Sequence, residues 1–91
     1  MNFSMSYVNN LKTFVRVFDL GSMSAAGRDM RVSAAVVSSR VAELEKHFSV
    51  RLFNRTTRSM KPTAHGELLY SGAIKILDTI IEVESNIAEI T

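Results

Sequence analysis

The sequence predicts a mainly α-helical fold in which three helices and a small two-stranded wing precede one long helix. Apolar residues recur at helical spacing over most of the 91 residues. Two short runs typical of strands interrupt this pattern and end at Pro62, which cannot donate to a strand ladder. The charge also divides there: residues 1–62 hold ten Lys or Arg and four Asp or Glu, whereas residues 63–91 hold one Lys and five acids. We therefore predict a basic domain, residues 6–63, followed by an acidic helix, residues 64–91.

Serines and a glycine mark where the first three helices begin and end. The first predicted helix covers residues 7–20 and ends at Gly21. Ser24 is the predicted N-cap of a short second helix, residues 25–30, because its hydroxyl can accept from free amides of the first turn. Ser33 is predicted to cap the third helix. The second and third helices, with the tight turn between them, form a helix-turn-helix motif.

The third helix carries small residues on the face opposite its apolar stripe. A helix that reads DNA needs small residues there, so that its backbone can sit deep in the major groove with hydroxyls for base edges or phosphates. An ordinary solvent-exposed face is the alternative, but such a face usually carries Lys, Glu and Gln. Arg40 either reaches a phosphate or lies over the edge of the core with its head in solvent. The DNA-binding candidates in the helix-turn-helix, about residues 23–42, are Ser24, Ser33, Ala34, Ala35, Ser38, Ser39 and Arg40.

The predicted wing, at about residues 51–62, is basic throughout. Arg51, Arg55, Arg58 and Lys61 fall in a short segment that contains no acid. An arginine at a hairpin tip suits a narrow minor groove, where the negative potential is enhanced. Cations that protect an exposed strand edge from aggregation are the alternative, although such edges usually mix signs. The DNA-binding candidates in the wing are Arg55, Thr56, Thr57, Arg58 and Lys61.

The last predicted helix begins after its cap, Thr63, and repeats apolar residues every three or four positions. This spacing is the requirement for knobs-into-holes packing against a second helix, so we predict a homodimer. A helix packed wholly within its own chain is the alternative, but the rest of the chain is too small to cover about 40 Å of helix. A second apolar row, from Tyr70 to Ala88, is predicted to cover the first helix. The predicted dimer-interface residues are Leu69, Ala73, Ile76, Ile80, Val83, Ile87 and Ile90.

The composition excludes several classes of protein. No cysteine is present, so disulfides and thiolate metal sites are excluded. His47 and His65 lack partners at ligand spacing, and we predict no metal and no cofactor. No nucleophile–base pair and no phosphate loop are present, so we do not expect an enzyme. No segment approaches the roughly 20 apolar residues of a membrane span, and we expect no membrane partner.

Several motifs, in order and at matching spacing, resemble the N-terminal domain of LysR-type transcriptional regulators over nearly all of the chain. Several positions depart from the common family pattern, among them Gly27, which replaces a usual alanine in the second helix. Ala34-Ala35 stands where the family often has Gln-Pro, and Ser39 stands where an arginine often follows the second serine, with Arg40 one place on. The motifs that carry the resemblance are Gly21-Ser22-Met23-Ser24-Ala25-Ala26, Val32-Ser33, Val37-Ser38, Leu44-Glu45, the run from Val50 to Arg58, and Pro62-Thr63-Ala64-His65-Gly66.

The resemblance implies a winged helix-turn-helix, a long linker helix that dimerises, and a C-terminal effector-binding domain that this chain, ending at Thr91, does not include. It also implies a bacterial, cytoplasmic, nucleoid-associated regulator that binds double-stranded DNA at an interrupted palindrome. The expected assembly is a homodimer, or a tetramer in the full-length protein, with a small-molecule effector on the missing domain. Two alternatives stay open: a dimeric winged-helix repressor of another family, and a coiled-coil interaction module whose basic head binds acidic protein or a membrane surface.

Overall fold

The computed structural model describes residues 4–56 and 60–90 of the chain. These residues form four helices and one two-stranded antiparallel sheet. This architecture confirms the predicted mainly α-helical fold with a two-stranded wing. None of the described helices is long and apolar enough to cross a membrane. The helices are α1 (Met5–Leu20), α2 (Met23–Met30), α3 (Ala34–Phe48) and α4 (Ala64–Ile90), and the strands are β1 (Phe53–Arg55) and β2 (Met60–Pro62).

Hydroxyl side chains cap the helices at their N-termini, where the first backbone amides have no partner inside the helix. The Ser33 hydroxyl accepts from the Val36 amide at 3.1 Å, at the start of α3. The Thr63 hydroxyl accepts from the Gly66 amide at 3.0 Å, at the start of α4. Both predicted caps are confirmed. α1 begins at Met5, two residues before its predicted start.

The predicted cap of α2 is wrong. Ser22, not Ser24, accepts from the Ala25 amide, at 3.1 Å, and Ser24 lies inside the first turn of the helix. Gly21 explains the shift: its φ of +72° ends α1 in the left-handed conformation and redirects the chain. Ser22 is then the extended residue directly before α2, so the helix begins at Met23.

The core lies where α1, α3 and the base of the wing meet. Phe14 of α1 and Phe53 of β1 are both buried, with ring centroids 5.4 Å apart. Phe48, the last residue of α3, is 39% exposed and lies at the rim of a groove between α3 and α4. The buried residues of α3 are Val37, Val41 and Leu44.

The backbone of Leu52 joins the wing to α4. The Thr63 amide donates to the Leu52 carbonyl at 2.9 Å, and the Thr63 hydroxyl donates to the Arg51 carbonyl at 2.6 Å. The first turn of α4 comes so close that a β-carbon at Gly66 would lie 2.1 Å from the Leu52 carbonyl oxygen. Only glycine fits at this position, since no real β-carbon approaches an oxygen so closely.

Tyr70 docks α4 on α1. Its ring stacks on that of Phe18, with centroids 3.8 Å apart, and its hydroxyl donates to Asp19 Oδ1 at 2.5 Å. Ile74 and Leu77, further along the second apolar row, are half-buried against the core. This part of the row covers α1 as predicted.

Ala73, predicted as a dimer-interface residue, lies in the core of its own chain. Its side chain is fully buried within its own chain, because the first half of α4 packs on α1. No surface of Ala73 is left for a partner. Leu69, four residues earlier on the same seam, is half-buried against the core. The predicted seam is therefore divided between the chain's own core and the surface.

We expect Gly66→Ala to lower the free energy of unfolding by about 1–3 kcal/mol or more, the usual cost of forcing extra atoms into a packed site. The Leu52 carbonyl cannot retreat, because Thr63 holds it. Gly72→Ala is the matched control, since a β-carbon there would meet nothing within 4 Å. That change should be neutral or stabilising by up to about 1 kcal/mol through helix propensity. Urea denaturation at one protein concentration checks both, and equal effects of the two variants would contradict this account.

We expect the hydrogen bond of Tyr70 to contribute stability that disappears in strong base. Its bond to the Asp19 carboxylate raises the pKa of the Tyr70 hydroxyl above the ordinary value, and desolvation and the charge of Asp19 add to this. A group whose pKa is raised by folding stabilises below its unfolded pKa, about 10, and stops doing so as the pH rises through its folded pKa. The stability gap between the parent and Tyr70→Phe should therefore narrow above pH 10. A gap that stays constant from pH 7 to 11 in urea denaturation would contradict this.

Candidate nucleic-acid interface

The outward face of α3 is made of small and polar side chains. Ala35, Ser39, Ala42 and Lys46 are exposed, on the side opposite the buried stripe, and Ser38 at their flank is half-buried. The residues at the centre of this face are small on the first two turns, and Val36, which is 39% exposed, borders the face on the first turn. A helix with such a face can bring its backbone close to another surface, and a major groove admits an α-helix.

The first turn of α3 offers backbone amides beside this face. Ala34 and Ala35 are exposed there, while the hydroxyl of Ser33 is occupied by its cap bond. Free amides and the positive end of the helix dipole favour a negatively charged neighbour at such a terminus. Ser24 is exposed in the first turn of α2.

Arg40 reaches back to α1 instead of outward from α3. Its Nη1 donates to the Thr13 hydroxyl at 3.2 Å, and this hydroxyl donates to the Asn9 carbonyl at 2.9 Å. Thr13 is fully buried, so the guanidinium lies over the edge of the core. Of the two predicted positions of Arg40, the structure has the one at the core edge.

The wing lies beside α3 and presents polar side chains. Lys61 and Thr56 are exposed. Thr57 and Arg58, which the sequence predicts as DNA contacts, lie outside the described residues. Arg55 is partly exposed and forms an ion pair with Glu45 of α3, with Nη2 and Oε1 3.1 Å apart. The strand register places Phe53 opposite Pro62, Asn54 opposite Lys61, and Arg55 opposite Met60.

Glu45 is the residue of this region that sequence reasoning missed. A free carboxylate at this position of α3 would repel phosphate. In the structure the Glu45 carboxylate accepts from the Leu52 amide at 2.8 Å as well as from Arg55, and the Glu45 side chain is only 11% exposed. Its partners lie seven and ten residues away, across a helix end, where no helical or strand period connects them. The sequence gives one indication of this ion pair: the wing contains no acid, so an acidic partner for Arg55 has to come from another segment.

Ion pairs also occupy other acids of the basic domain. Arg16 lies 2.8 Å from Asp29 and 3.8 Å from Asp19. Within residues 4–56 and 60–90, no group of three or more His, Cys, Asp or Glu side chains is placed to hold a metal ion. Exposed cations outside these pairs include Arg28, Arg31, Lys46, Arg51 and Lys61.

The second half of α4 exposes apolar side chains to solvent. Ile76, Val83 and Ile87 are about half exposed, at 46%, 49% and 59%, and Ile90 is 87% exposed. Ile76 also lines an apolar groove of about 350 Å³ between the end of α3 and the start of α4. Exposed apolar surface of this kind is typical of interaction sites.

These features define a winged helix-turn-helix domain that carries a long, partly unpartnered helix. The sequence profile described as bacterial regulatory helix-turn-helix protein, LysR family, matches residues 8–67. The chain belongs to this family, as the resemblance in the sequence predicts.

Characterised relatives of the chain are transcriptional regulators. An HTH-type transcriptional repressor of Pseudomonas aeruginosa is 39% identical over 83 residues, which cover 91% of this chain and 26% of the relative. The HTH-type transcriptional activator AaeR of Escherichia coli is 31% identical over 83 residues, which cover 91% of this chain and 27% of the relative. The chain thus spans about a quarter of the length of these relatives.

Solved structures with the same fold include complexes with DNA. The DNA-binding domain of BenM bound to benA site 1 DNA has a TM-score of 0.87 and 26% identity, covering 91% of this chain and 93% of that one. The corresponding CbnR–DNA complex has a TM-score of 0.85 and 27% identity, covering 90% and 94%. Full-length CbnR with its target DNA has a TM-score of 0.82 and 28% identity, covering 87% of this chain and 27% of that one.

Proposed function

We propose that this chain binds double-stranded DNA sequence-specifically, as a homodimer, and thereby regulates transcription. The observation that carries this proposal is the exposed face of α3, whose centre carries small residues on the first two turns beside a basic wing. The DNA complexes of BenM and CbnR support it, because their domains share this fold. The role is that of a binding protein, not of an enzyme.

In this proposal α3 enters the major groove with its first two turns. Ala35 and Ala42 leave room for the helix backbone, and the Ser39 hydroxyl reaches a base edge. The amides of Ala34 and Ala35 bond a phosphate at the start of the helix, which sets the register without reading sequence. Ser38, which is half-buried, supports the flank of this face.

The wing contributes electrostatic affinity. Lys61 and Thr56, which are exposed, neutralise or bond phosphates next to the groove that α3 occupies. Thr57 and Arg58, which lie outside the described residues, complete this contact in the proposal, and Arg58 enters the minor groove, where a narrow groove has the stronger negative potential. Cations of the wing therefore strengthen binding to any duplex, whereas α3 selects the sequence.

The homodimer in this proposal forms through the exposed seam of α4. A two-fold pair places two α3 helices on two half-sites, which matches an interrupted palindrome. Since Ala73 is buried in its own chain, the proposed interface excludes it. The interface consists of Ile76, Ile80, Val83, Ile87 and Ile90, with Leu69 at its edge.

The proposed regulation of the whole protein is based on relatives that are longer than this chain. The chain covers about a quarter of their length, which leaves room in the whole protein for a C-terminal domain that binds a small-molecule effector. We place the protein in the bacterial cytoplasm, on the nucleoid, and assign a tetramer to the full-length form.

Selection of an operator from random duplexes, followed by titration of that operator and a scrambled duplex, tests the proposed function. Three phosphates neutralised by each of two heads give about six, so log K should fall against log salt with a slope of roughly −5. Tighter binding of the operator, with this slope, is expected. Equal and salt-independent binding of both duplexes would overturn the proposal in favour of a protein-binding coiled-coil module.

Ser39→Ala and Lys61→Ala should fail in different ways. Loss of the Ser39 hydroxyl should relax preference at one base position and leave affinity for the scrambled duplex unchanged, because only base contacts specify. Loss of Lys61 should weaken binding to both duplexes and reduce the salt slope by about one per head. Fluorescence anisotropy at several salt concentrations measures both effects. A Lys61→Ala protein that keeps the parent affinity for both duplexes would remove this residue from the interface.

Ile87→Glu should convert the dimer to monomer, because it places an unpaired charge in an apolar interface. Ile87 is 59% exposed in the single chain, so the change leaves the packing of the basic domain intact. Ser85→Glu adds the same charge on the opposite side of α4 and should stay dimeric. Analytical ultracentrifugation at micromolar concentration distinguishes the two. A monomeric parent protein, or an unchanged dimer of Ile87→Glu, would show that α4 does not dimerise through this seam.

A further inference from the structure

We propose that Glu45 and Arg55 form a strut that fixes the wing against α3, and that Arg55 positions the wing without contacting phosphate itself. This inference rests on the proposed DNA-binding function and assigns two positioning residues to the same site. It changes the role of Arg55, which the sequence places among the DNA contacts.

The geometry of the Glu45 carboxylate ties two elements together. Its Oε2 accepts from the Leu52 amide at 2.8 Å, and its Oε1 accepts from Arg55 Nη2 at 3.1 Å. Leu52 precedes β1 and Arg55 ends it, so one carboxylate on α3 holds the strand at both ends. The side chain of Glu45 is 11% exposed and that of Arg55 33% exposed, which shields the pair in part from solvent.

The wing needs such a tie because its sheet is small. Each strand has three residues, and a two-stranded hairpin of this size is at best marginally stable in water. Phe53 and Leu52 anchor the base of the wing in the core. Arg55 is exposed at the other end of β1, and Phe53 is the only buried residue of that strand. The ion pair with Glu45 supplies the fixed contact at that end.

The strut also determines which cations meet DNA. The Glu45 carboxylate compensates the charge of the Arg55 guanidinium, so this pair presents little net positive charge to a phosphate, and cations without an acidic partner dominate the salt slope. Arg55 therefore contributes little to this slope, in contrast to Lys61, which is exposed on the opposite strand. The ion pair also compensates the negative charge of Glu45, the acid of α3 that contacts the wing.

Glu45→Gln separates the two bonds of the strut. The amide oxygen of glutamine can still accept from the Leu52 amide, but its NH₂ group then meets the guanidinium of Arg55, donor against donor. The variant should release Arg55 while keeping its volume and the bond to Leu52. A released Arg55 is free to seek phosphate on any duplex.

The experiment measures the salt slope and the operator-to-scrambled affinity ratio for the parent, Glu45→Gln, Arg55→Gln and the double variant. Arg55→Gln should keep the parent slope, while Lys61→Gln lowers it by about one per head. Glu45→Gln should steepen the slope by about one per head and reduce the affinity ratio about tenfold, because the wing is released. In the double variant the steepening should vanish, since no freed guanidinium remains.

Glu43→Gln is the matched control, because it removes an equal charge from an exposed position on the same helix without touching the wing. An Arg55→Gln slope that falls as far as that of Lys61→Gln would overturn the strut, and so would equal effects of Glu45→Gln and Glu43→Gln. Thermal unfolding by circular dichroism identifies a variant that does not fold; if Glu45→Gln does not, the comparison of Arg55→Gln with Lys61→Gln alone decides. A parent protein that binds operator and scrambled duplex equally refutes the proposed function instead.

Discussion

Hydrogen bonds fix both backbone polar groups of Leu52, and the positions of the wing and of α4 depend on them. The Leu52 amide donates to Glu45 of α3, and the Leu52 carbonyl accepts from Thr63 at the start of α4. Gly66 brings the first turn of α4 against the same carbonyl. Since Leu52 is buried, either group would cost free energy if it lost its partner. The helix that is proposed to read DNA, the wing and α4 therefore share one fixed point.

From this fixed point α4 runs through two different surroundings. Its first half packs on α1, where Ala73 is fully buried and Tyr70 stacks on Phe18. From Ile81 onward every described residue is exposed, yet the helix continues to Ile90. An isolated helical segment is marginal in water, and most helical stability comes from packing of an apolar face. A partner on the exposed seam would supply that packing, and this is the physical basis of the proposed dimer.

Sequence reasoning predicted the helices, the wing and the family because these depend on local patterns: apolar spacing, capping hydroxyls and Pro62. Local patterns did not predict which residues of the α4 seam pack on the chain itself and which remain exposed. The seam of α4 has an unbroken period, but the period alone does not separate Ala73, which meets its own chain, from Ile87, which does not. The error at the start of α2 is similar, because Ser22 and Ser24 carry the same hydroxyl and only the conformation of the chain after Gly21 decides between them.

Ion pairs between segments that are distant in the chain could not be predicted from the sequence. They change how the charges of the basic domain are interpreted. Three of the four acids of the basic domain, Asp19, Asp29 and Glu45, form ion pairs with Arg16 or Arg55. Pairing leaves the net charge unchanged, but it places these acids beside arginines and weakens their field at the surface. The positive potential then comes from cations that stay exposed near the helix-turn-helix and the wing, while the acids of α4 lie along a separate helix. Segregation of charge, rather than the modest total of +2, is what suits this chain to a polyanion.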